Sequence, residues 1–522
     1  MAKPISFGEL DFKIVASMIE TRGVPEPDTP FRILMLGDFS GRENRDILES
    51  GATLSGRRAV EVDRDNLNDV MGRMTPEIRL PLADSETDAL TIRFTELDDF
   101  HPDRLYEQHE IFESIREIAR KLDNPRTFEE AATEIRSWTD SESSTVQELP
   151  KEPSAPASDA GETESIGILD RIIEGAQDRP PEAPPSSDAS EWSRFLRKIV
   201  QPHLVPDQDP RQMELADIVY AAAGEMMQII LHHPNFQALE SGWRGLEFLV
   251  SRLETDARLK LYVLDLSKSE LAADLNDTND LRNTGIYKNL VEQTIGIAGG
   301  EPWAVIGGNY TFGQSREDAE LLGRMAKIAA AAGAPFIADA NPNLLGCDSL
   351  AQTPDPDDWR STMDEYEQAA WQALQKLPEA AYLGLALPRF LLRLPYGADT
   401  DPLEQFEFEE MAERPEHEDY LWGNPCFACI CLLGRYFSAD GWNLQTGAGG
   451  DIDNLPLHVY READETCIKP CAEALLTERA AEIIMNAGFM PLLSFREQDR
   501  IRLARFQSLA LPPTRLAGRW GE

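Results

Sequence analysis

The chain has 522 residues, 42% of them apolar and 27% charged, enough apolar material for sizeable cores and too much for disorder throughout. Acidic residues outnumber basic ones by 92 to 50, and the formal charge of −42 repels phosphate backbones and anionic lipid surfaces. No nucleic acid and no membrane insertion is expected: even the most apolar stretch, Leu215 to Leu231, is interrupted by Asp217 and Glu225.

In chain order, Met1 to Lys13 mixes Glu9 and Asp11 among its apolar side chains and has no apolar h-region, so no secretory signal and a cytoplasmic location are expected. FRILML (Phe31 to Leu36) reads as a buried strand ended by Gly37, and LTIRF (Leu90 to Phe94) alternates as a half-buried strand does. A single helix is predicted next. Pro102 suits its first turn, Asp103 favours the positive end of its dipole, and Leu105, Phe112, Ile115, Ala119 and Leu122 form one apolar stripe.

From Thr139 to Glu164 the chain is rich in Ser, Pro and acid, with Lys151 its one base, and reads as a flexible linker spanning roughly 28 Å. A second Pro-rich break, Arg179 to Ser187, isolates the segment Ile166 to Gln177. Beyond it, LKLYVLDL (Leu259 to Leu266) and WAVIGG (Trp303 to Gly308) read as strands. Arg316 to Ala332 carries the helical stripe Leu321, Leu322, Met325, Ile328 and Ala329, stopped by Gly333 and Pro335. APFIADA (Ala334 to Ala340) follows at once, giving a β-α-β unit with a parallel pair, and AYLGLAL (Ala381 to Leu387) extends the sheet.

Chemistry-bearing patterns are weak. Gly-rich strings start at Gly37, Gly296, Gly307 and Thr446, but none has the Lys and Ser or Thr of a phosphate loop, so they read as turns and sheet ends. Cys426, Cys429, Cys467 and Cys471 have zinc-like spacing, yet FACICLL around Cys429 and Cys431 is a continuous apolar run in which thiols act as small hydrophobes. The six cysteines read as reduced thiols, and Cys347 has no base nearby in sequence. Of the seven histidines, His232 and His233 precede Pro234, where imidazole can satisfy terminal helix carbonyls. Asp98 and Asp99 are expected to start a helix rather than to act as an acid and base pair. No catalytic residue, cofactor or metal site is predicted.

What remains distinctive are strings of Trp, Arg, Phe and Leu, the mixture found in cores and at interface anchors. The chain resembles the contractile sheath proteins of the bacterial type VI secretion system, and does so twice. FRILMLGDFSGR (Phe31 to Arg42), VEVDRDNLNDVM (Val60 to Met71) and FTELDDFHPDRLYEQ (Phe94 to Gln108) are similar to the small subunit, TssB or VipA. The large subunit, TssC or VipB, is resembled by His232 to Val250, Gly299 to Phe312, Ala329 to Gly346, Tyr382 to Gly397, Tyr420 to Ala428 and Lys469 to Asp499.

The resemblance implies two α/β sheath-type domains, a small one over 1–138 and a larger one with a β-α-β core over 236–510. Between them lie the linker, 139–164, and a helical region, 165–235; 511–522 is a tail. It implies a noncatalytic structural role, with dimers stacking around a tube of Hcp and contacting other copies or separate sheath subunits and baseplate proteins. It also implies that Ser165 to Ala176, through Ile168, Leu169, Ile172 and Ile173, is a helix recognised by the AAA+ unfoldase ClpV. Family large subunits continue beyond the stretch matched here, whereas this sequence stops about two dozen residues after Asp499. An alternative expectation is therefore an accessory that caps, nucleates or regulates a sheath of full-length subunits, and a remote one a nucleotide- or zinc-binding enzyme. Phe7 to Ser17, with Phe7, Leu10, Phe12 and Ile14, is expected to act as a donated strand.

Overall fold

The computed structural model describes residues 5–10, 25–81, 89–124, 126–128, 130–133, 135, 212–295, 300–444, 446, 449–462 and 465–520. Phe12, Ile14, Gly296, the expected linker and the segment carrying Ile168, Leu169, Ile172 and Ile173 lie outside them.

Phe31–Gly37 (β1) is apolar at every position but Arg32, a composition that calls for cover on both faces. It has that cover. Ile33 and Met35 enter one core cluster, Leu34 and Leu36 the other, as the two-residue period of a strand requires. After β1 come Gly51–Gly56 (α1), Val60–Val62 (β2), Leu67–Met74 (α2) and a hairpin of Glu77–Pro81 (β3) with Ala89–Arg93 (β4).

The stripe expected to form a single helix after Pro102 is broken. Pro102–Gln108 (α3) and Glu113–Asp123 (α4) are separated by a 3₁₀ turn at Glu110–Phe112, and His109 is extended at φ −98°, ψ 137°. The Arg116 guanidinium donates to the Tyr106 carbonyl, an acceptor freed where α3 ends, so the break leaves that group satisfied. Leu105, Phe112, Ile115, Ala119 and Leu122 are all buried, which shows how a helical stripe can survive a break that periodicity alone does not register.

The second half supplies Gln212–Leu231 (α5), Pro234–Arg252 (α6), Leu259–Asp265 (β5), Lys268–Asn276 (α7), Val305–Phe312 (β6), Arg316–Ala332 (α8) and Phe336–Ala340 (β7). Glu365–Gln375 (α9), Leu383–Leu387 (β8), Phe390–Leu391 (β9), Trp422–Gly423 (β10), Pro425–Asp440 (α10) and Asp451–Ile452 (β11) follow. Last come Val459–Glu462 (β12), Glu465–Ile468 (β13), Glu478–Asn486 (α11), Met490–Ser494 (β14) and Ile501–Leu503 (β15). Gly333 stops α8 in the left-handed conformation, φ +67°, as its position predicts.

The fold is α/β around a mixed nine-stranded sheet of order β11-β15-β14-β8-β7-β6-β1-β5-β2. From β5 through β1, β6, β7 and β8 to β14 the neighbours are parallel; β2, β15 and β11 close the edges antiparallel. β1, expected in a small separate unit, pairs along its whole length with β5 and is flanked on its other side by β6. The 31–62 stretch and the 259–503 stretch therefore share one sheet.

β6 also departs from expectation. It begins at Val305 and runs to Phe312, taking in the Gly-rich string that reads as a turn. Gly307 and Gly308 sit mid-strand because a Cβ there would overlap Ile430 from the packed helix and Met35 from neighbouring β1, or Phe336 from neighbouring β7. His233 also differs from its expected role: its Nδ1 accepts the Asn235 N–H at 3.1 Å and so caps the start of α6, while its backbone N–H, not its ring, donates to the Ile230 carbonyl at 3.2 Å.

Candidate assembly interface

Where β1 ends, the chain turns at Gly41 (φ +75°), a residue whose Cβ would overlap the Glu77 carbonyl. The turn brings the 38–57 segment over the carboxyl end of β5 and the start of α7. Asp265, the last residue of β5, accepts the Phe39 and Ser40 N–H groups at 2.8 and 3.1 Å and the Ser40 hydroxyl at 2.7 Å. Burial pushes the Asp265 carboxyl up, with Asp38 adding to the effect, and the Ser40 and Phe39 hydrogen bonds only partly offset it.

Glu270 is the centre of the seam. Ser267 and Glu270 form a capping box at the start of α7, and the carboxylate, with no exposed surface, then meets two guanidinium groups from the other segment. Arg42 binds it in a fork, Nε to Oε2 at 2.9 Å and Nη2 to Oε1 at 2.8 Å, and Arg57 Nη2 reaches Oε1 at 3.0 Å. Burial opposes ionisation of Glu270, but the two arginines outweigh it and hold the group below the usual carboxylate range. Glu49 bridges the same arginines from the outer side at 2.9 and 2.5 Å, and the Asp265 carboxyl lies 4.0 Å from Arg42.

Asp274, one turn further along α7, is buried and accepts the Gly51 N–H at 2.6 Å, Gly285 N–H at 2.9 Å and Ile286 N–H at 2.9 Å. A single carboxylate thus caps a turn in one segment and a turn in the other. Gly285 allows that approach, since a Cβ would lie 2.6 Å from the Gly51 carbonyl oxygen. On the opposite face, Trp243 of α6 donates its indole N–H to the Phe39 carbonyl at 2.8 Å. Phe94 and Phe100 stack at 4.2 Å, and both meet Phe236 edge-on. Asp99 performs the expected helix-start role: its Oδ2 accepts from the Thr95 N–H at 2.6 Å and hydroxyl at 2.8 Å. Burial alone raises the Asp99 carboxyl, and these bonds bring it below its ordinary value.

A second buried cluster fixes α6 to the 390–410 stretch. Glu240 lies between Arg244 and Arg393 at 2.6 and 2.8 Å, Arg393 also grips Glu410 at 2.7 Å, and Tyr396 takes an Arg244 hydrogen bond at 3.0 Å. Arg42 and Arg57 lie more than two hundred residues from Glu270 and Arg393 153 residues from Glu240, which is why spacing does not single these pairs out. The local signals are the i,i+4 pair Glu240 and Arg244 and the capping-box pattern Ser267-x-x-Glu270, and neither says anything about Arg42, Arg57 or Arg393.

Of the expected donated strand, Phe7 and Leu10 are described, and both pack partly buried against the core layer that contains α8. Phe7 occupies the notch left by Gly323, Glu9 bridges Asp280 in parallel, and the Gly8 carbonyl accepts from Lys327 Nζ at 2.6 Å. Among the cysteines, Cys426, Cys429 and Cys431 are buried on α10, and the Cys471 thiol lies 3.3 and 3.4 Å from the Pro456 and Gln498 carbonyls. Burial raises the Cys347 thiol to about 11. Among the described residues no group of three or more His, Cys, Asp or Glu side chains is arranged to hold a metal, and no helix is long and apolar enough to cross a membrane.

The two halves of this seam have separate relatives. Residues 20–145 match the VipA family (Type VI secretion system, VipA, VC_A0107 or Hcp2), and residues 217–510 match the VipB family (EvpB/VC_A0108, tail sheath N-terminal domain). Over 293 residues the chain is 40% identical to the type VI secretion system sheath protein TssC1 of Pseudomonas aeruginosa, a match covering 55% of this chain and 59% of that protein. The chain therefore belongs to the VipB tail sheath family and carries, in the same polypeptide, a segment matched by the VipA family.

Proposed function

We propose that the chain is a noncatalytic structural component of a type VI contractile sheath, a small and a large sheath element joined in one polypeptide that assembles with further sheath subunits around an Hcp tube. The observation that carries this reading is the insertion of β1, from the VipA-matched segment, between β5 and β6 of the VipB-matched one. Such a sheet needs both segments to be complete, so joining them replaces an encounter between chains by an intramolecular one at high effective concentration. Buried, paired charges at the seam support a permanent union rather than a transient one.

Electron microscopy of the purified chain, alone and with Hcp tubes, tests the assembly. Helical tubes are expected; discrete particles under both conditions would remove the sheath role and favour an accessory that caps or nucleates. The proposal extends to two surfaces. Phe7, Leu10, Phe12 and Ile14 belong to a segment exchanged between neighbours, with baseplate proteins meeting the end of the assembly. Ile168, Leu169, Ile172 and Ile173 have the apolar spacing of a helix-in-groove ligand for the ClpV unfoldase, and the location in which they would meet is the cytoplasm. Leu169→Asp is expected to abolish ClpV binding in a pull-down while leaving thermal unfolding unchanged; binding at the wild-type level would end that assignment.

A further inference from the structure

The β12–β13 hairpin stands at the surface, with Val459 49% exposed, and the residue that follows it is Lys469, half-buried. Its Nζ lies 3.2 Å from His417 Nδ1, and the other ring nitrogen of His417, Nε2, lies 3.2 Å from Glu473 Oε1. These three side chains form a line: carboxylate, imidazole, amine. The same order of groups activates hydroxyl and thiol nucleophiles elsewhere, the carboxylate fixing the imidazole and the imidazole taking the nucleophile's proton.

The tautomer follows from the partners. Glu473 is only 9% exposed and also accepts from Arg389 at 2.5 and 2.8 Å, and although burial opposes ionisation, its bond to His417 and the Arg389 charge hold it at about 2. An ionised carboxylate has no proton to give, so Nε2 carries the hydrogen and Nδ1 faces Lys469 with its lone pair. The ring is held in that orientation by stacking on Trp422, centroids 5.0 Å apart, whose indole N–H donates to the His417 carbonyl at 2.8 Å. The amine sits 4.6 Å over the Tyr420 ring and 5.6 Å over Trp422, between apolar walls. Burial depresses the Lys469 amine, and the nearby carboxylates of Glu473 and Glu418 do not restore it.

We infer that Lys469 is a nucleophilic amine that accepts an acyl group from a thioester, with His417 as its base and Glu473 as the positioning residue. In the step, the Nζ lone pair attacks the thioester carbonyl carbon and a C–N bond forms. The nitrogen gives a proton to His417 Nδ1, the C–S bond breaks, and the departing sulfur keeps the electron pair and receives that proton. The products are an amide and a free thiol, with no oxidant or reductant needed. Acylation removes the cation held over Tyr420 and Trp422, so the modification changes the charge of this surface. A neutral thioester is the fitting donor, because a chain of net charge −42 repels anionic ones.

The test incubates the full chain with S-acetyl-N-acetylcysteamine and follows acetylation at each lysine by peptide mass spectrometry. Lys469 is expected to react several-fold faster than the exposed Lys376, because His417 Nδ1 at 3.2 Å is placed to take its proton and Lys376 is not in such a line. His417→Gln should bring the Lys469 rate down to that of Lys376 or below, with an unchanged melting temperature as the check that the fold persists. Equal rates at Lys469 and Lys376 in the parent chain would overturn the inference, and so would a Lys469 rate indifferent to His417→Gln.

Discussion

Glu270 and Asp339 are both buried carboxyl groups, and their surroundings push them in opposite directions. Glu270 is the common anion for Arg42 and Arg57, so Glu270→Gln leaves the two guanidinium groups with Glu49 and, 4.0 Å from Arg42, Asp265. Removing one member of a buried ion cluster costs about 3 to 5 kcal/mol, and the partial exposure of both arginines places this case near 3. A matching fall in stability from urea unfolding of the full chain is the expected outcome; an unchanged midpoint would mean that the seam is held by packing alone. Asp339, on β7, accepts the Thr311 hydroxyl at 2.8 Å, and burial raises its carboxyl to about 7. Its pKa in the unfolded chain is near the ordinary value of about 3.9, so between there and 7 the folded state holds a proton that the unfolded state has lost. Stability therefore falls as pH rises through that window, by up to about 1.4 kcal/mol per unit. Asp339→Asn, which keeps a polar partner for Thr311, removes this slope: its melting temperature should gain on the parent chain steadily from pH 5 to pH 7. Parallel pH profiles would show that Asp339 is ionised in the fold.

At the scale of elements, the closest approach of two helices is set by a glycine. α6 crosses α10 at Gly245, where an added Cβ would overlap the Phe427 ring, whereas Gly56 at the end of α1 has nothing within 4 Å of such a Cβ. Gly245→Ala should destabilise by about 1 to 3 kcal/mol through overpacking, and Gly56→Ala should be neutral or add a few tenths through the unfolded state. Differential scanning calorimetry of the pair separates the two; equal effects would mean that the helices re-pack freely. These contrasts also show what local sequence carries. FRILML, the stripe of α8 and its Gly333 stop are legible because strand alternation, helical spacing and a left-handed glycine are properties of neighbouring residues. The break at His109 is not, because the apolar stripe continues across it and the compensating bond from Arg116 depends on where the chain returns. The same holds for Gly307, which looks like a turn residue until Ile430 and Met35 arrive from elsewhere in the sequence. Every contact that Arg42 and Arg57 make with Glu270 spans more than two hundred residues, so no local pattern announces it.

For the whole molecule, the decisive relation is between the two segments matched by different families. A sheet lacking β1 would leave the facing edges of β5 and β6 unpaired in the middle of the structure, where β1 now forms parallel ladders with both. Phe31, Ile33, Leu34, Met35 and Leu36 would take with them a full row of both cores. The covalent connection between segments is thus not what holds the fold: it fixes stoichiometry and speeds pairing, while the ladders and the buried Glu270 and Asp274 clusters supply the cohesion. A protease site placed within Thr139 to Glu164 puts this to the test. After complete cleavage, the two fragments should elute together from size exclusion at the volume of the intact chain, with an unchanged melting temperature. They should separate only under denaturing conditions, and expression of residues 212–520 alone should give aggregate, because the exposed β5 and β6 edges pair indiscriminately. Fragments that part on the column, or a soluble monodisperse second fragment, would show that β1 is an accessory strand and that the connection itself maintains the union.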